Sequence, residues 1–377
     1  MGVYIVSNRK IVRHKDEKVD SFSNDEYSIP NFRIAKCNFD DYKEPSAQAK
    51  KKKDYTNRNI LDYKLFSEPE KQGYENVLEV LLSEKGLKKS SLTVSNLGGT
   101  QRMFYELYKN MSSTKDRSDV LIFIHGYAYT FDDELKAILD LKKIFIDNPA
   151  SPIEHILFIS WPASSSLVPL TYFDDKASSI NSGNSLLRLF YFYTQFLKDI
   201  FSNRDLAPCN QRIHLMAHSM GNRVLQSMLY SFKRENILRV IDQVLLLNAD
   251  VSYKVFEDSE DSFNKLPLLA NRISVYLNRQ DVILGISQFT KNILTPRLGK
   301  NGPSDIIQYK DTVSIIDCTF VKDDLLSGLK FDVGNHWGYL SSSQVQNDIF
   351  QNLYGVDRNL ISGRVKENEN IFTLVSQ

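Results

Sequence analysis

The sequence is poor in cysteine and has no long apolar run. Its 3 cysteines (Cys37, Cys209 and Cys318) are scattered without a CxxC pair, which excludes a disulfide scaffold, argues against a zinc site and favours a reducing compartment. No apolar stretch reaches the ~18–20 residues that a membrane-spanning helix needs, and the run at 3–6 is too short for a signal-peptide core. We therefore expect no transmembrane segment and a cytoplasmic location.

A strong charge of either sign is also absent. The formal net charge is +1, so electrostatics alone exert no strong pull toward nucleic acid or a membrane surface. The only dense basic run, at 50–53, is followed by Asp54 and a polar stretch rather than by an aromatic stacking platform, and it is typical of a solvated loop. We expect no nucleic-acid partner.

What the sequence does contain is a regular alternation of apolar and helical segments from about residue 119 onward. Continuous rather than alternating hydrophobicity marks strands that are covered on both faces, as in a parallel sheet. The segments between them, such as 132–145 and 222–233, have helical periodicity. This order predicts an α/β fold with a mostly parallel, doubly wound sheet. The predicted strands are 120–124, 156–161, 213–217, 244–247, 273–277 and 313–316.

Two segments lie outside that alternation. Residues 1–100 form an N-terminal extension of unknown role, whose strands we expect to join or cover the edge of the sheet, and residues 101–377 form the main domain. A helical insertion at 162–200 is rich in aromatic residues. Such a helix is typical of buried core, but open α/β sheets bind ligands beyond the carboxyl ends of their strands. We therefore expect the insertion, together with a loop at 287–304, to shape a pocket.

The clearest chemical motif is the segment IHLMAHSMGN at 213–222. An apolar strand runs into a small-x-Ser-x-Gly turn and then into an amphipathic helix. A serine on such a turn is held in a strained backbone, with its hydroxyl above the sheet edge at a helix N-terminus. Ala217 stands where glycine is more usual. The motif makes Ser219 the candidate nucleophile.

A serine nucleophile needs hydrogen-bond donors for the oxyanion that forms when it attacks a carbonyl. One donor is the backbone N–H of the following residue, Met220. The second should come from the loop after an earlier strand, and the sequence HGY at 125–127 follows the strand at 120–124. Gly126 permits close approach of the backbone there, so the N–H of Tyr127 is the second candidate donor.

The general base must be found among 6 histidines. His214 and His218 have a spacing that suggests zinc, but no Glu follows the first His, and residues four apart on a strand lie about 13 Å from each other. We therefore expect no metal there, and expect His218 to be a packing residue. His336, in GNHWGY after the last predicted strand, is the candidate base.

Two aspartates compete for the role of the acid that orients the base. In an α/β-hydrolase the acid lies between serine and histidine in chain order. Asp281 follows the later strand, where this acid usually lies, and we favour it. Asp250, in LNAD after an earlier strand, is the alternative acid, and Asp317 is a more distant third.

These motifs, in this order, resemble the α/β-hydrolases of serine esterase and lipase type. The segments that carry the resemblance, over about residues 117–345, are HGY, AHSMGN, LLLNADV, YLNRQDVIL and NHWGYL, and WPASSS and YFDDKASS also match. More narrowly, the sequence is similar to a bacterial family known only as α/β-hydrolases of unknown function. The resemblance implies the α/β-hydrolase fold and a triad of Ser219, Asp281 and His336.

The expected function is that of a serine hydrolase that cleaves a carboxylic ester or related small acyl compound through an acyl-enzyme intermediate, without cofactor or metal. Two alternatives stay open. An acyltransferase would use the same triad with an acceptor other than water. A non-catalytic protein would keep the hydrolase fold and bind a protein partner through its N-terminal extension. The sequence does not specify the substrate, the acyl length or the oligomeric state.

Overall fold

The fold is described from a computed structural model of the 377-residue chain. It describes residues 2–13, 20–26, 32–40, 42, 61–67, 74–113, 118–127, 129–163, 171–206, 209–291, 294–305, 309–321 and 336–375, with only the backbone described at 13, 171–174 and 290–291. The basic run at 50–53 and the serines at 164–166 lie outside the described residues.

One large sheet organises the described chain. It has 11 strands in the order β12-β13-β11-β10-β9-β8-β6-β7-β1-β4-β5, and β2 and β3 form a separate hairpin. The strands are β1 (Gly2–Ser7), β2 (Arg9–Arg13), β3 (Asp20–Glu26), β4 (Arg33–Asn38), β5 (Asp62–Leu65), β6 (Asp119–Ile124), β7 (Ile153–Ser160), β8 (Ile213–His218), β9 (Ile241–Leu247), β10 (Ala270–Leu277), β11 (Val313–Asp317), β12 (Arg364–Lys366) and β13 (Ile371–Leu374).

The centre of this sheet is parallel from β13 through to β1, and antiparallel pairs occur only at its two edges. Alternate residues of β6 enter different cores: Ile122 and Ile124 pack into one hydrophobic cluster, and Leu121 and Phe123 into the cluster on the other face. This two-sided burial is the reason for the continuous apolar runs. The predicted α/β fold with a mostly parallel, doubly wound sheet is confirmed.

Helices cover both faces. They are α1 (Glu75–Glu84), α2 (Gly99–Ser113), α3 (Phe131–Leu141), α4 (Thr171–Ser202), α5 (Gly221–Ser231), α6 (Leu266–Leu269), α7 (Val282–Lys291), α8 (Leu298–Asn301), α9 (Gly338–Ser341) and α10 (Ser343–Leu353). Two sequence expectations need correction. The helix expected at 132–145 ends at Leu141 and continues as a π-helical turn over Lys142–Ile146. The loop expected at 287–304 is half helical, because α7 extends to Lys291 and α8 spans Leu298–Asn301.

The expected helical insertion corresponds to α4, which packs closely on α5. A Cβ on Gly183 would lie 2.5 Å from the Cβ of Ser227, so only glycine allows the two helices to approach this far. The aromatic side chains of α4 include buried Phe190 and Phe196, and the Phe196 ring stacks on that of Phe104 at 5.3 Å. This part of the insertion is core, in agreement with the aromatic pattern. No helix in the described part of the chain is long and apolar enough to cross a membrane.

The N-terminal extension contributes to the same sheet. β1 lies between β7 and β4 and runs parallel to β7, with Ser7 opposite Ser160. Its carboxyl end therefore lies at the same sheet edge as the carboxyl ends of β6 and β8. The hairpin of β2 and β3 follows directly, and its buried Phe22 packs against Phe131 at the start of α3.

Because β1 is enclosed by neighbours on both sides, we expect Ile5→Ala to lower the free energy of unfolding of the whole chain by about 2–5 kcal/mol, the usual cost of truncating a buried Ile. Ile5 is 0% exposed, whereas Val12 in the hairpin is 40% exposed. Val12→Ala is therefore the matched control, and urea unfolding followed by circular dichroism is the measurement. Equal midpoints for the two variants would contradict a shared core.

Candidate active site

The turn after β8 has the backbone expected of a nucleophile elbow. Ser219 has φ of 50°, a left-handed conformation that costs free energy for any residue except glycine. Its N–H donates to the carbonyl of Leu247 at 3.0 Å, and its own carbonyl accepts from the N–H of Asn222 at 3.1 Å and from that of Asp250 at 3.1 Å. The neighbouring strand and the helix that follows thus hold the serine in its strained conformation.

Small residues around the elbow are required by close backbone contacts. A Cβ on Gly221 would lie 2.5 Å from the carbonyl oxygens of both Ile124 and His125. A Cβ on Gly126 would lie 3.0 Å from the Cβ of Ser219. The loop after β6 therefore lies directly against Ser219, as the HGY motif predicted.

His336 and Asp281 meet through a short hydrogen bond. The Nδ1 of His336 lies 2.6 Å from the Oδ2 of Asp281, and the two side chains are 2% and 0% exposed. Asp281 also accepts from the Nδ2 of Asn248 at 2.9 Å and from the N–H of Leu284 in the first turn of α7 at 2.9 Å. Asn248 and Leu284 both donate to this carboxylate, so its position and orientation are fixed.

His218 connects the elbow to the loop that carries His336. Its Nε2 lies 3.0 Å from the carbonyl oxygen of His336, and because a carbonyl only accepts, Nε2 carries the hydrogen. The two rings lie 4.8 Å apart. Burial, and then His336, hold the pKa of His218 well below its usual value, so this histidine is neutral. The expected packing residue thus also fixes the backbone of His336 beside Ser219.

Asp250 has different partners. Its Oδ1 accepts from the Nε of Arg297 at 2.7 Å and from the Oγ of Ser287 at 2.8 Å, and the guanidinium of Arg297 is 2% exposed. Of the two competing aspartates, only Asp281 is seen to contact the ring of His336. Asp317, the third candidate, pairs with the Nε of Arg279 at 2.8 Å.

The two candidate oxyanion donors, Met220 and Tyr127, belong to the elbow and to the loop packed against it. Met220 is the N-cap residue of α5, so its backbone lies at the N-terminal end of that helix. Tyr127 directly follows Gly126 in the loop against Ser219, and its half-buried ring packs on the core under α5. The structure thus brings together all five residues that the sequence singled out for the site.

No metal site emerges among the histidines. His214 lies 3.2 Å from the Oδ2 of Asp119, and His218 faces a carbonyl. Within the described ranges no group of three or more His, Cys, Asp or Glu side chains would hold a metal ion.

Sequence reasoning missed Arg9, Glu134 and Arg297, which are buried charged residues near the site. Arg9 and Glu134 contact each other and reach the oxyanion loop. Arg297 binds the alternative acid. The sequence does not show that a charged residue is buried unless its partner is known. Arg9 and Glu134 are 125 residues apart, and Arg297 and Asp250 are 47 residues apart.

Comparison with known proteins gives a family match over most of the chain and weak matches to solved structures. Residues 103–353 match the family described as alpha/beta hydrolase of unknown function (DUF900). Two solved structures of phospholipase PlaB from Legionella pneumophila are remote neighbours, one of them in complex with thio-NAD; the identities are 13% and 14%, and the TM-scores 0.21 and 0.20. The matches cover 54% and 58% of this chain, and 39% and 42% of those chains.

No curated protein matched the sequence. The TM-scores are too low to carry an argument about substrate. The family match and the sheet topology agree, and they support hydrolase activity in general. The chain belongs to the alpha/beta hydrolase family of unknown function that its residues 103–353 match.

Proposed function

We propose that this chain is a serine hydrolase that cleaves a carboxylic ester or related acyl compound with Ser219 as nucleophile, His336 as general base and Asp281 as the acid that orients it. The observation that carries the proposal is the buried 2.6 Å contact between His336 and Asp281, next to a serine at φ of 50°. Family membership supports the reaction class.

The contact between the Asp281 carboxylate and Nδ1 of His336 determines which ring nitrogen transfers protons. A carboxylate accepts hydrogen bonds, so Nδ1 carries the hydrogen and Nε2 has the lone pair. Nε2 takes the proton from the Ser219 Oγ as that oxygen attacks the acyl carbon, and Asp281 stabilises the imidazolium that forms. The N–H groups of Met220 and Tyr127 donate to the oxyanion.

Collapse of the tetrahedral intermediate completes acylation. The bond to the leaving alcohol breaks, and His336 gives its proton to the alcohol oxygen. Water then attacks the acyl-enzyme, with His336 again taking the proton, and the second collapse releases the acid and regenerates Ser219. Every proton in this cycle passes through Nε2 of one histidine, so the reaction requires no cofactor.

Ser219→Ala tests the nucleophile. We expect kcat for a chromogenic ester to fall on the order of 10⁶-fold, because without the hydroxyl no acyl-enzyme forms. A fluorophosphonate probe should label the wild type at Ser219 and leave the variant unlabelled. Ser231→Ala, at the exposed end of α5, is the control. A wild type that neither labels nor releases acid would favour the non-catalytic binding protein instead.

The two aspartates can be separated by paired variants. Asp281→Asn should lower kcat by about 10⁴-fold, because an amide in that position favours the wrong tautomer of His336. Asp250→Asn should cost far less, since Asp250 pairs with Arg297. Steady-state kinetics on both folded variants decides, and a larger loss for Asp250→Asn would reverse the assignment.

Gly126→Ala tests the close approach of the oxyanion loop. The new Cβ would meet the Cβ of Ser219 at 3.0 Å and the Nδ1 of His218 at 3.1 Å, so the loop must move. We expect kcat to fall about 10- to 100-fold with little change in KM, the loss typical of a misplaced oxyanion donor. Gly285→Ala is the control, because its Cβ would meet neighbours only at 3.8 Å and beyond. Equal activity of the two variants would count against Tyr127 as a donor.

A further inference from the structure

Three buried charged side chains, Arg9, Glu134 and His125, form a chain of contacts beside the oxyanion loop. The Oε1 of Glu134 lies 2.5 Å from the Nη2 of Arg9 and 2.8 Å from the Nε2 of His125, and each of the three side chains is at most 1% exposed. Burial raises the pKa of Glu134, but Arg9 and then His125 outweigh burial and hold that pKa below its ordinary value. Glu134 is therefore an anion between the Arg9 guanidinium and the His125 ring.

Arg9, His125 and Glu134 meet because the chain segments that carry them lie at the same edge of the sheet. Arg9 comes shortly after β1, His125 directly follows β6, and Glu134 lies in the first turn of α3. The parallel register of β1, β7 and β6 brings the carboxyl ends of the three strands level with one another. Arg9 thus reaches from the N-terminal extension into the family-matched part of the chain.

These side chains hold the loop on both sides of Tyr127. On one side, the Nδ1 of His125 lies 2.7 Å from the carbonyl oxygen of Gly126. On the other, the Nη2 of Arg9 donates to the carbonyl of Tyr129 at 3.2 Å. The same Nη2 donates to the carbonyl of Trp161 at 2.9 Å.

The ring of His125 is itself fixed. It stacks on Phe158 at 5.6 Å and on Trp161 at 5.2 Å, and the Trp161 indole N–H donates to the His125 carbonyl at 2.9 Å. The Trp161 backbone N–H also points at Nε2, at 3.1 Å. The Oε1 of Glu134 lies 2.8 Å from the same nitrogen, so the ring is held between the Trp161 backbone and the carboxylate.

Stability alone is a poor explanation for this arrangement. Replacing a buried ion pair by apolar side chains of similar volume is often neutral or stabilising. Here the Oε2 of Glu134 is also buried and has no hydrogen-bond partner among the described residues, which adds a desolvation cost. What the network does provide is a fixed position for the loop beside Ser219. A Cβ added to Gly126 in this loop would lie 3.0 Å from the Cβ of Ser219.

We propose that Arg9 and Glu134 are positioning residues for the oxyanion donor: through His125 and the carbonyls of Gly126 and Tyr129 they hold the Tyr127 N–H in place over Ser219. The proposal rests on the proposed serine hydrolase function. It gives the N-terminal extension a role in the reaction, because the extension supplies Arg9 to a loop more than a hundred residues away.

The test compares Arg9→Met and Glu134→Gln in the full-length chain. In both variants we expect kcat for an ester to fall about 10- to 100-fold with KM nearly unchanged, because the interaction at stake is made in the transition state. Inhibition by a trifluoromethyl ketone with the same acyl group should weaken by a similar factor. In that adduct the Ser219 Oγ bonds to the ketone carbon, the serine proton passes to His336, and the ketone oxygen becomes an oxyanion held by the loop.

Arg364→Met is the matched control. Arg364 pairs with Asp348 at 2.6 Å, and the two side chains are 2% and 0% exposed, so this variant removes an equally buried ion pair far from the loop. Unchanged kcat and ketone affinity in folded Arg9→Met and Glu134→Gln, relative to Arg364→Met, would overturn the proposal. So would failure of both variants to fold while the control folds, because the pair would then serve stability.

If only Arg9→Met fails to fold, the nearly isosteric Glu134→Gln decides the question by itself. Failure of the proposed function has a different signature. In that case the wild type neither hydrolyses esters nor is labelled by a fluorophosphonate, whereas failure of the positioning role leaves the wild type active and labelled.

Discussion

The parallel alignment of the central strands is the constraint on which the site depends. In a parallel sheet all carboxyl ends lie at one edge, so the residues that follow different strands become neighbours in space. His125 follows β6, Ser219 follows β8, Asn248 follows β9, and Asp281 comes a short turn after β10. None of these residues needs a long loop to reach the others. The sheet therefore sets the positions of these four residues, whereas His336 lies farther along the chain from the end of β11.

The burial of charge at that edge imposes a second constraint. A carboxylate without water must accept hydrogen bonds, and Asp281 accepts from His336, Asn248 and Leu284. These donors leave the carboxylate one orientation, which in turn orients the imidazole. Asp250 obeys the same rule with different donors, because Arg297 and Ser287 satisfy it. The two aspartates thus differ in their partners: Asp281 contacts His336, and Asp250 binds Arg297 and Ser287.

The sequence was sufficient for the fold and for the local geometry of the elbow. Continuous apolar runs predict two-sided strands, and the segment AHSMGN encodes both the strained serine and the small neighbours that the turn needs. These are local signals, since each depends on residues within about ten positions of one another. The roles assigned to Ser219, Asp281 and His336 stay predictions until the variants are measured.

Local sequence signals of this kind do not decide between Asp250 and Asp281. Both follow a strand, and the difference lies in Arg297, a partner 47 residues from Asp250. Arg9 was missed for the same reason: in the sequence it is one of several polar residues after a short strand, and its burial follows from the register between β1 and β7. When the pairing of strands brings together two side chains that are far apart in the sequence, the residues around each of them give no sign of the contact.

Several features that cost free energy lie where the chemistry is proposed. Ser219 has an unfavourable backbone conformation, Glu134 has a buried oxygen with no hydrogen-bond partner among the described residues, and Gly126 and Gly221 lack side chains where backbones approach closely. Each feature lowers stability by itself and persists only because the surrounding structure determines it. The wide sheet supplies that surrounding stability, and β1 is an enclosed member of it. Arg9 comes two residues after the end of β1, so the N-terminal segment both stabilises the sheet and contacts the loop beside the strained serine.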